Sequence, residues 1–283
     1  MDASIDAASD ASRDATDRVR VEEDYLIVID AGIDAQDADT DGSIFDADYS
    51  GDASRCGSDA HVICEGFENG TWDSLVWSPI ETSGTLSVDA THVARGTRAL
   101  HIRTVTDTDG GSGANVGLST TRGLPFAANV IWGRAFVWLA PASAPMATAS
   151  MFQSTGPLTV TGRVITVSQR LSIGSGHLGA SYDNSPQPPF TDYGLESATP
   201  MPVSRWACLE WEFKGSTNEA HYYLNAMELT DIAVLPTADP QWIAPPWSTI
   251  QVGLQFHGSD AINAIDVWID EVAIDTTRIG CDD

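Results

Sequence analysis

Residues 250–257 read IQVGLQFH, and this stretch decides the fold class because apolar and polar residues alternate along it. In an extended strand, successive side chains point to opposite faces of the sheet. The apolar residues at 252, 254 and 256 therefore form a face that we expect to lie in the core. The opposite face carries Gln251, Gln255 and His257, which places polar side chains where a ligand could reach them.

Other stretches extend this β pattern along the chain. Residues 206–213 place Leu209, Trp211 and Phe213 on one apolar face. Residues 131–139 are apolar on both faces, which predicts a central strand, and Arg134 lies among its aromatic residues. Further short runs cover 99–104, 164–173, 221–225 and 267–274. Gly and Pro clusters separate the runs and no helical period is sustained, so we predict an all-β, two-sheet antiparallel jelly-roll sandwich.

The first 55 residues differ from the rest because Asp-Ala pairs recur through them. They hold 16 acidic and four basic residues, and thus 12 of the 26 net negative charges. Such a segment buries too little apolar surface to offset the entropy lost on ordering. We therefore predict a disordered acidic tether at 1–55 and a single domain at 56–283, a length that all-β domains reach.

Composition also limits the partners. The acidic balance repels phosphate backbones, so nucleic acid is excluded as a partner. No stretch is long and apolar enough for a transmembrane helix, and no export signal stands at residue 1. We nevertheless expect the protein to be secreted or on the cell surface, because the four cysteines are an even number in a Thr/Ser/Gly-rich domain. We also expect a monomer.

The simplest cysteine pairing joins Cys56 to Cys64 and Cys208 to Cys281. Four cysteines allow three connectivities, and four free thiols are the other reading. Zinc is disfavoured because the spacings match no C-x2-C pattern. We therefore expect two disulfides, with the connectivity left open.

Two acidic motifs suggest chemistry with little specificity. Residues 37–48 match a calcium-binding loop position by position, but such a match arises easily in an Asp-rich tract. Glu210 and Glu212 share one face of a strand, as the acid and nucleophile of a glycoside hydrolase would. Alternating carboxylates are more often solvated surface, so a hydrolase is the weaker enzyme hypothesis.

Five short motifs carry a resemblance to a known family. They read FENG at 67–70, GTRALH at 96–101, WACLEW at 206–211, VWIDEV at 267–272 and RIGC at 278–281. Over about 62–281 the chain resembles the concanavalin A-like (laminin G-like) jelly rolls. More narrowly, it resembles the cellulose-induced secreted protein that is related to glucuronan lyases. The tether resembles the Asp/Ala-rich spacers of bacterial surface lipoproteins, which implies a lipid anchor upstream.

The resemblance implies a structural calcium ion that clips the first strand to the last. Its acidic ligands would be Glu68 from the FENG motif and Asp270 from the VWIDEV motif. Backbone carbonyls near 92–96 would complete an oxygen shell of the kind that calcium prefers. The competing interpretation is that both carboxylates only cap the ends of strands.

The resemblance also implies a polysaccharide site in the concave groove of one sheet. In related lyases a cation or amide neutralises the uronate carboxylate while Tyr or His removes a proton. Arg134, Tyr223 and His257 are the candidate catalytic residues if the chain is a lyase. The candidate ligand-binding residues are Trp132, Arg134, Trp138, Glu210, Gln255 and His257.

Three functions remain open at this stage. A carbohydrate-binding protein would use Trp132 and Trp138 as stacking platforms and would not turn over its ligand. A polysaccharide lyase would cleave a uronate-containing glycan by β-elimination, but the Y-F-K-x-G-x-Y signature of alginate lyases is missing from this sequence. A surface adhesion protein would show neither glycan binding nor lyase activity and would bind protein partners instead. The acidity of the chain disfavours polyanionic substrates, so carbohydrate binding is the preferred hypothesis.

Overall fold

The computed structural model describes residues 53–57, 61–105, 113–141, 148–183, 192–237, 242–256 and 264–281. The predicted tether lies outside these residues except for its last three positions, and so does the calcium-loop motif at 37–48. No helix among the described residues is long and apolar enough to cross a membrane.

Fifteen strands form the fold within the described ranges, with one short 3-10 turn at Arg55–Gly57. The strands are β1 (Ile63–Glu65), β2 (Ser78–Thr82), β3 (Gly84–Asp89), β4 (Ala99–Thr104), β5 (Asn115–Thr120), β6 (Val130–Leu139), β7 (Ala149–Val160), β8 (Arg163–Gly174), β9 (His177–Asp183), β10 (Asp192–Pro200), β11 (Trp206–Lys214), β12 (Glu219–Leu224), β13 (Met227–Glu228), β14 (Thr249–Phe256) and β15 (Asp266–Asp275). The seven strands predicted from the sequence are all confirmed, with their ends within two residues.

The strands form two antiparallel sheets, which confirms the predicted fold class. Sheet I has the order β13-β12-β11-β6-β15-β4-β3, with β1 also paired to β15, and sheet II has the order β10-β9-β8-β7-β14-β5-β2. Strand β6 lies in the middle of sheet I, between β11 and β15, as its two apolar faces predicted.

The core lies between the inner faces of the two sheets. Val252 and Leu254 of sheet II and Trp211 of sheet I are buried there, as their alternation predicted. Phe152 of sheet II stacks on Trp211, with ring centroids 4.2 Å apart. A Cβ at residue 133 would lie 2.1 Å from the Trp211 ring, so only Gly133 leaves room for this indole.

Both disulfides of the simplest pairing are present. Cys56 bonds to Cys64 and Cys208 bonds to Cys281. The second bond fixes residues 278–281 across the outer face of sheet I, where Phe136 and Cys208 form a small separate apolar cluster. We call residues 278–281 the C-terminal strap. It covers charged side chains that the sequence suggested as ligand-binding.

Candidate functional site

A row of polar side chains crosses the outer face of sheet II. Strand register places Gln251 of β14 beside Gln153 of β7, and Gln153 beside Arg170 of β8. Because their neighbours in sequence point into the core, these side chains face outward. We define the polar strip as Asn115, Gln153, Arg170, Asp183, Gln251 and Gln255.

Hydrogen bonds between these side chains hold the strip in one arrangement. Gln153 Nε2 donates to Gln255 Oε1 at 3.1 Å, and Arg170 Nε donates to Gln153 Oε1 at 2.8 Å. The Arg170 guanidinium also lies 3.6 Å from the Asp183 carboxylate. Gln153 and Gln251 are 9% exposed, so they mainly orient their neighbours, and the other four members of the strip are partly exposed. Because the side chains are held in this way, they have little rotamer freedom to lose on binding.

Two paired glycines let strands β5 and β14 approach closely beneath one end of the strip. Gln251 Nε2 donates to Asn115 Oδ1 at 2.6 Å, and Gly117 pairs with Gly253 between them. A Cβ at Gly253 would lie 2.3 Å from the Val116 carbonyl oxygen, and its φ of +150° favours glycine. Both glycines are buried, so the Gln251–Asn115 hydrogen bond closes over the strand backbone here.

A cavity of about 220 Å³ adjoins the other end of the strip. It is lined by residues of β8, β9 and β10, among them Ser172, His177, Gly179, Ser181 and Gly194. Ser181 pairs with Arg170 in the sheet register, so the cavity and the polar strip share one surface.

Carboxylates are distributed unequally between the two outer faces. Among the described residues, Asp183 is the one carboxylate of the polar strip, and it pairs with Arg170. Glu196 lines the adjoining cavity on the same face. Sheet I carries more carboxylates, among them Glu210, Glu212, Glu219, Asp266 and Asp275 on its outer face and Asp270 and Glu271 at its bulge.

Arg134 and Gln255, which the sequence suggested as partners in one groove, lie on different sheets. Gln255 belongs to the polar strip on sheet II, whereas Arg134 is on sheet I and fully buried. Its guanidinium lies 4.0 Å from Glu271 and 3.5 Å from the Gly280 carbonyl oxygen of the strap. Arg134 is thus shielded from a glycan in this structure. His257, the third predicted member, lies outside the described residues.

Trp132, Tyr223 and Glu210 also lie on sheet I, next to the strap. Arg278 of the strap stacks on Tyr223 at 4.1 Å and donates to both Glu210 oxygens, at 3.3 and 2.9 Å. Gly280 N donates to the same carboxylate, which is fully buried. Burial also raises the pKa of the Tyr223 phenol, which disfavours its use as a base. The Glu210 carboxylate is therefore occupied in holding the strap.

Trp138 lies on β6, at the end opposite to Trp132, and one face of its ring is covered. The His92 ring stacks on it at 3.5 Å, and Trp268 packs edge-on at 5.3 Å. A sugar could reach that covered face only if His92 moved away. Trp138 thus packs against His92 and Trp268 on the outer face of sheet I.

Glu68 and Asp270, the predicted calcium ligands, both bind the loop at 94–98. Asp270 Oδ2 accepts from Ala94 N and Arg95 N, and Oδ1 accepts from Glu271 N. Both Glu68 oxygens accept from Thr97, whose hydroxyl donates at 2.8 Å. All four carboxylate oxygens thus accept N–H or O–H hydrogen bonds, which fix the loop at 94–98 against the strands.

Four strip residues were not predicted from the sequence: Asn115, Gln153, Arg170 and Asp183. Strand β7 was not predicted, because Gly156 and Pro157 interrupt its pattern. A usable signal existed in β8, where Ser168, Arg170 and Ser172 alternate with buried residues. The sequence could not show that these faces adjoin Gln251 and Gln255, since that follows from strand pairing.

The two antiparallel sheets and their strand order define a jelly-roll sandwich. Among solved structures, the chain is similar to the cellulose-induced protein Cip1, with 19% identity, 77% of this chain and 99% of that chain covered, and a TM-score of 0.57. It is also similar to an endo-β-1,4-glucuronan lyase from the fungus Trichoderma reesei, with 15% identity, coverage of 77% and 96%, and a TM-score of 0.59.

A more distant likeness connects the fold to a toxin module. The binding domain of botulinum neurotoxin serotype C1 is 9% identical, with 78% of this chain and 50% of that chain covered and a TM-score of 0.50. No model of a known protein family matches the sequence, and no curated protein sequence does. At these identities the likeness establishes the fold.

Proposed function

We propose that this protein binds polysaccharide on the outer face of sheet II, with the polar strip as the contact surface. The pre-oriented row of amides with Arg170 and Asp183 is the observation that carries the proposal. Sugar hydroxyls both donate and accept hydrogen bonds, and amide, guanidinium and carboxylate groups together satisfy both needs. Of the two neighbours with the higher TM-scores, one is by name a glucuronan lyase and the other a protein induced by cellulose, which supports the same class of ligand.

An extracellular location supports this role. Disulfides persist in oxidising compartments and are rare in the cytosol, and this domain has two. Polysaccharides of cell walls and matrices are met in those compartments. We therefore propose that the protein acts outside the cell.

Uronate β-elimination is the second candidate function, and Arg170 is the observation that favours it. Its guanidinium is the cation of the strip, where it could neutralise a sugar carboxylate and so acidify the proton alpha to it. Tyr223 cannot serve as the base at this site because it lies on sheet I. His257 stays the predicted base.

Affinity electrophoresis tests the binding proposal directly. Wild-type protein is run in gels that contain β-glucan, xylan, glucuronan or alginate, beside Gln153→Ala and the exposed control Thr85→Ala on sheet I. We expect at least one polymer to retard the wild type and the control, and Gln153→Ala to migrate freely. Equal retardation of all three proteins would exclude the strip as the binding surface.

The lyase candidate has a separate readout. Glucuronan or alginate incubated with the protein would yield an unsaturated product, which absorbs in the ultraviolet. Retardation in a gel without this absorbance identifies a binding protein, whereas absorbance that Arg170→Met abolishes identifies a lyase.

The calcium ion stays a proposal that comes from the family resemblance alone. Glu68 and Asp270 would be its acidic ligands, and its part would be structural. The amide donors that face both carboxylates give the same connection between strands without an ion.

A further inference from the structure

The cavity at the end of the polar strip has the size of a single sugar ring. Its volume of about 220 Å³ holds roughly seven waters at about 30 Å³ each. That is below the roughly 300 Å³ at which sites for larger small molecules begin. The cavity is therefore suited to one ring of a glycan.

Small residues bring the ligand close to the strand backbone inside the cavity. Gly179 and Gly194 lie on β9 and β10, and Ser172 and Ser181 add hydroxyl groups. Leu195 also lines the cavity, but its side chain packs against the main core, so it contributes backbone there. The hydroxyl groups can hydrogen-bond to the hydroxyls of a pyranose ring, and the glycines let the ring lie close to the strands.

His177 contributes a hydrogen-bond acceptor of defined tautomer. Its Nδ1 lies 2.9 Å from the Ser197 carbonyl oxygen, and a carbonyl can only accept, so Nδ1 carries the proton. In the neutral ring Nε2 is then an acceptor, and no hydrogen bond from the described residues reaches it. A sugar hydroxyl in the cavity could donate to Nε2.

Charge determines which sugars this cavity takes. Neither lysine nor arginine is among its described lining residues, whereas Glu196 is. A uronate carboxylate in the cavity would meet the Glu196 carboxylate, and the nearest arginine along the sheet, Arg170, is already paired with Asp183, so this contact is unfavourable. A neutral ring meets no such cost.

We propose that this cavity is a subsite for one neutral sugar ring, which it binds through the hydroxyls of Ser172 and Ser181 and through His177. The inference rests on the proposed function, because the polar strip would hold the adjoining part of the same glycan. It adds that the ligand carries a neutral residue at this position, even if uronates lie along Arg170.

NMR titration with monosaccharides tests the subsite apart from the strip. Amide signals of Gly179, Ser181 and Gly194 are followed while D-glucose, D-galactose, D-mannose, D-xylose or N-acetylglucosamine is added, with D-glucuronate as the charged comparison. The variant Gly194→Leu fills the cavity, since a Cβ there meets nothing within 4 Å. Thr85→Leu on sheet I is the matched control.

We expect at least one neutral sugar to shift the three amide signals in the wild type and in Thr85→Leu. Gly194→Leu should lose the shifts and bind an oligosaccharide that the wild type retains about tenfold more weakly or worse. If no neutral sugar shifts these amides, the subsite is refuted, whatever the gels show. Equal shifts with glucuronate would refute its neutral specificity. If the gels show retardation that depends on Gln153 but no amide signal of the cavity shifts, the strip binds glycan and the subsite does not exist. If the amide signals shift but no gel retards the protein, the subsite is supported and the strip is rejected as the binding surface.

Discussion

Arg134→Met should lower stability strongly and leave glycan binding unchanged, whereas Arg170→Met should lower stability little and weaken glycan binding. Arg134 is fully buried on sheet I, and Glu271, 4.0 Å from its guanidinium, is fully buried too. Methionine keeps most of the volume but removes the positive charge. The Glu271 carboxylate then stays buried opposite an apolar side chain, with its Oε1 lacking a hydrogen-bond partner already.

Removal of one member of a buried ion pair costs about 3–5 kcal/mol. A domain of this size loses roughly 2–4 °C of melting temperature per kcal/mol. We therefore expect Arg134→Met to melt roughly 6–20 °C below the wild type. Adding Glu271→Gln should recover part of this loss, because it removes the uncompensated charge.

Arg170 differs because its side chain is 12% exposed and its partner Asp183 is 31% exposed. Solvent screens that pair, so Arg170→Met should cost only about 1 kcal/mol of stability. Glycan affinity should nevertheless fall at least about tenfold, since the guanidinium is part of the strip.

Thermal melting followed by circular dichroism gives the stabilities, and calorimetric titration well below each melting point gives the affinities. Folded Arg134→Met should bind like the wild type. The assignment of the site to sheet II fails if Arg134→Met abolishes binding below its melting point while Arg170→Met binds normally.

Three further outcomes are expected. Burial raises the pKa of Asp270 from 3.8 to about 8, so between these pH values the folded domain holds a proton that the unfolded chain has lost. The free energy of unfolding therefore falls as pH rises from 3.8 to about 8. Asp270→Asn should make this fall smaller between urea melts at pH 5 and pH 8, and an equal fall in the variant would reject the pKa shift. A chelator should lower the melting midpoint by removing the proposed calcium ion, because an ion that binds only the folded state stabilises it. A midpoint that does not change would reject the calcium site at Glu68 and Asp270. Trp138→Ala should destabilise the fold by about 3 kcal/mol, because the contact with His92 is lost, and should leave glycan affinity unchanged. A weaker affinity would instead show that Trp138 is a stacking platform for a sugar.

Much of the fold could be predicted from residues 99–104, 131–139 and 250–257. The structure confirms a strand at each of these places, the central position of 131–139, and the apolar inner face that alternation predicts for 250–257. The disulfide between Cys208 and Cys281 was predicted with its connectivity open, and the structure resolved it. Strands with Gly and Pro, such as β7, escaped because the local pattern is interrupted there.

The candidate site was less predictable, because alternation assigns a side chain to a face but not to a sheet. Gln255 and Arg134 are both outward-facing, yet they lie on opposite sides of the sandwich. The sequence by itself determined the all-β class, the polar face of β14 and the cysteine pairs to consider. Tertiary structure alone decided that Arg170 joins Gln153 and Gln255, and that the strap buries Arg134. The physical reason is that register and sheet membership arise from contacts between distant residues, which no local pattern encodes.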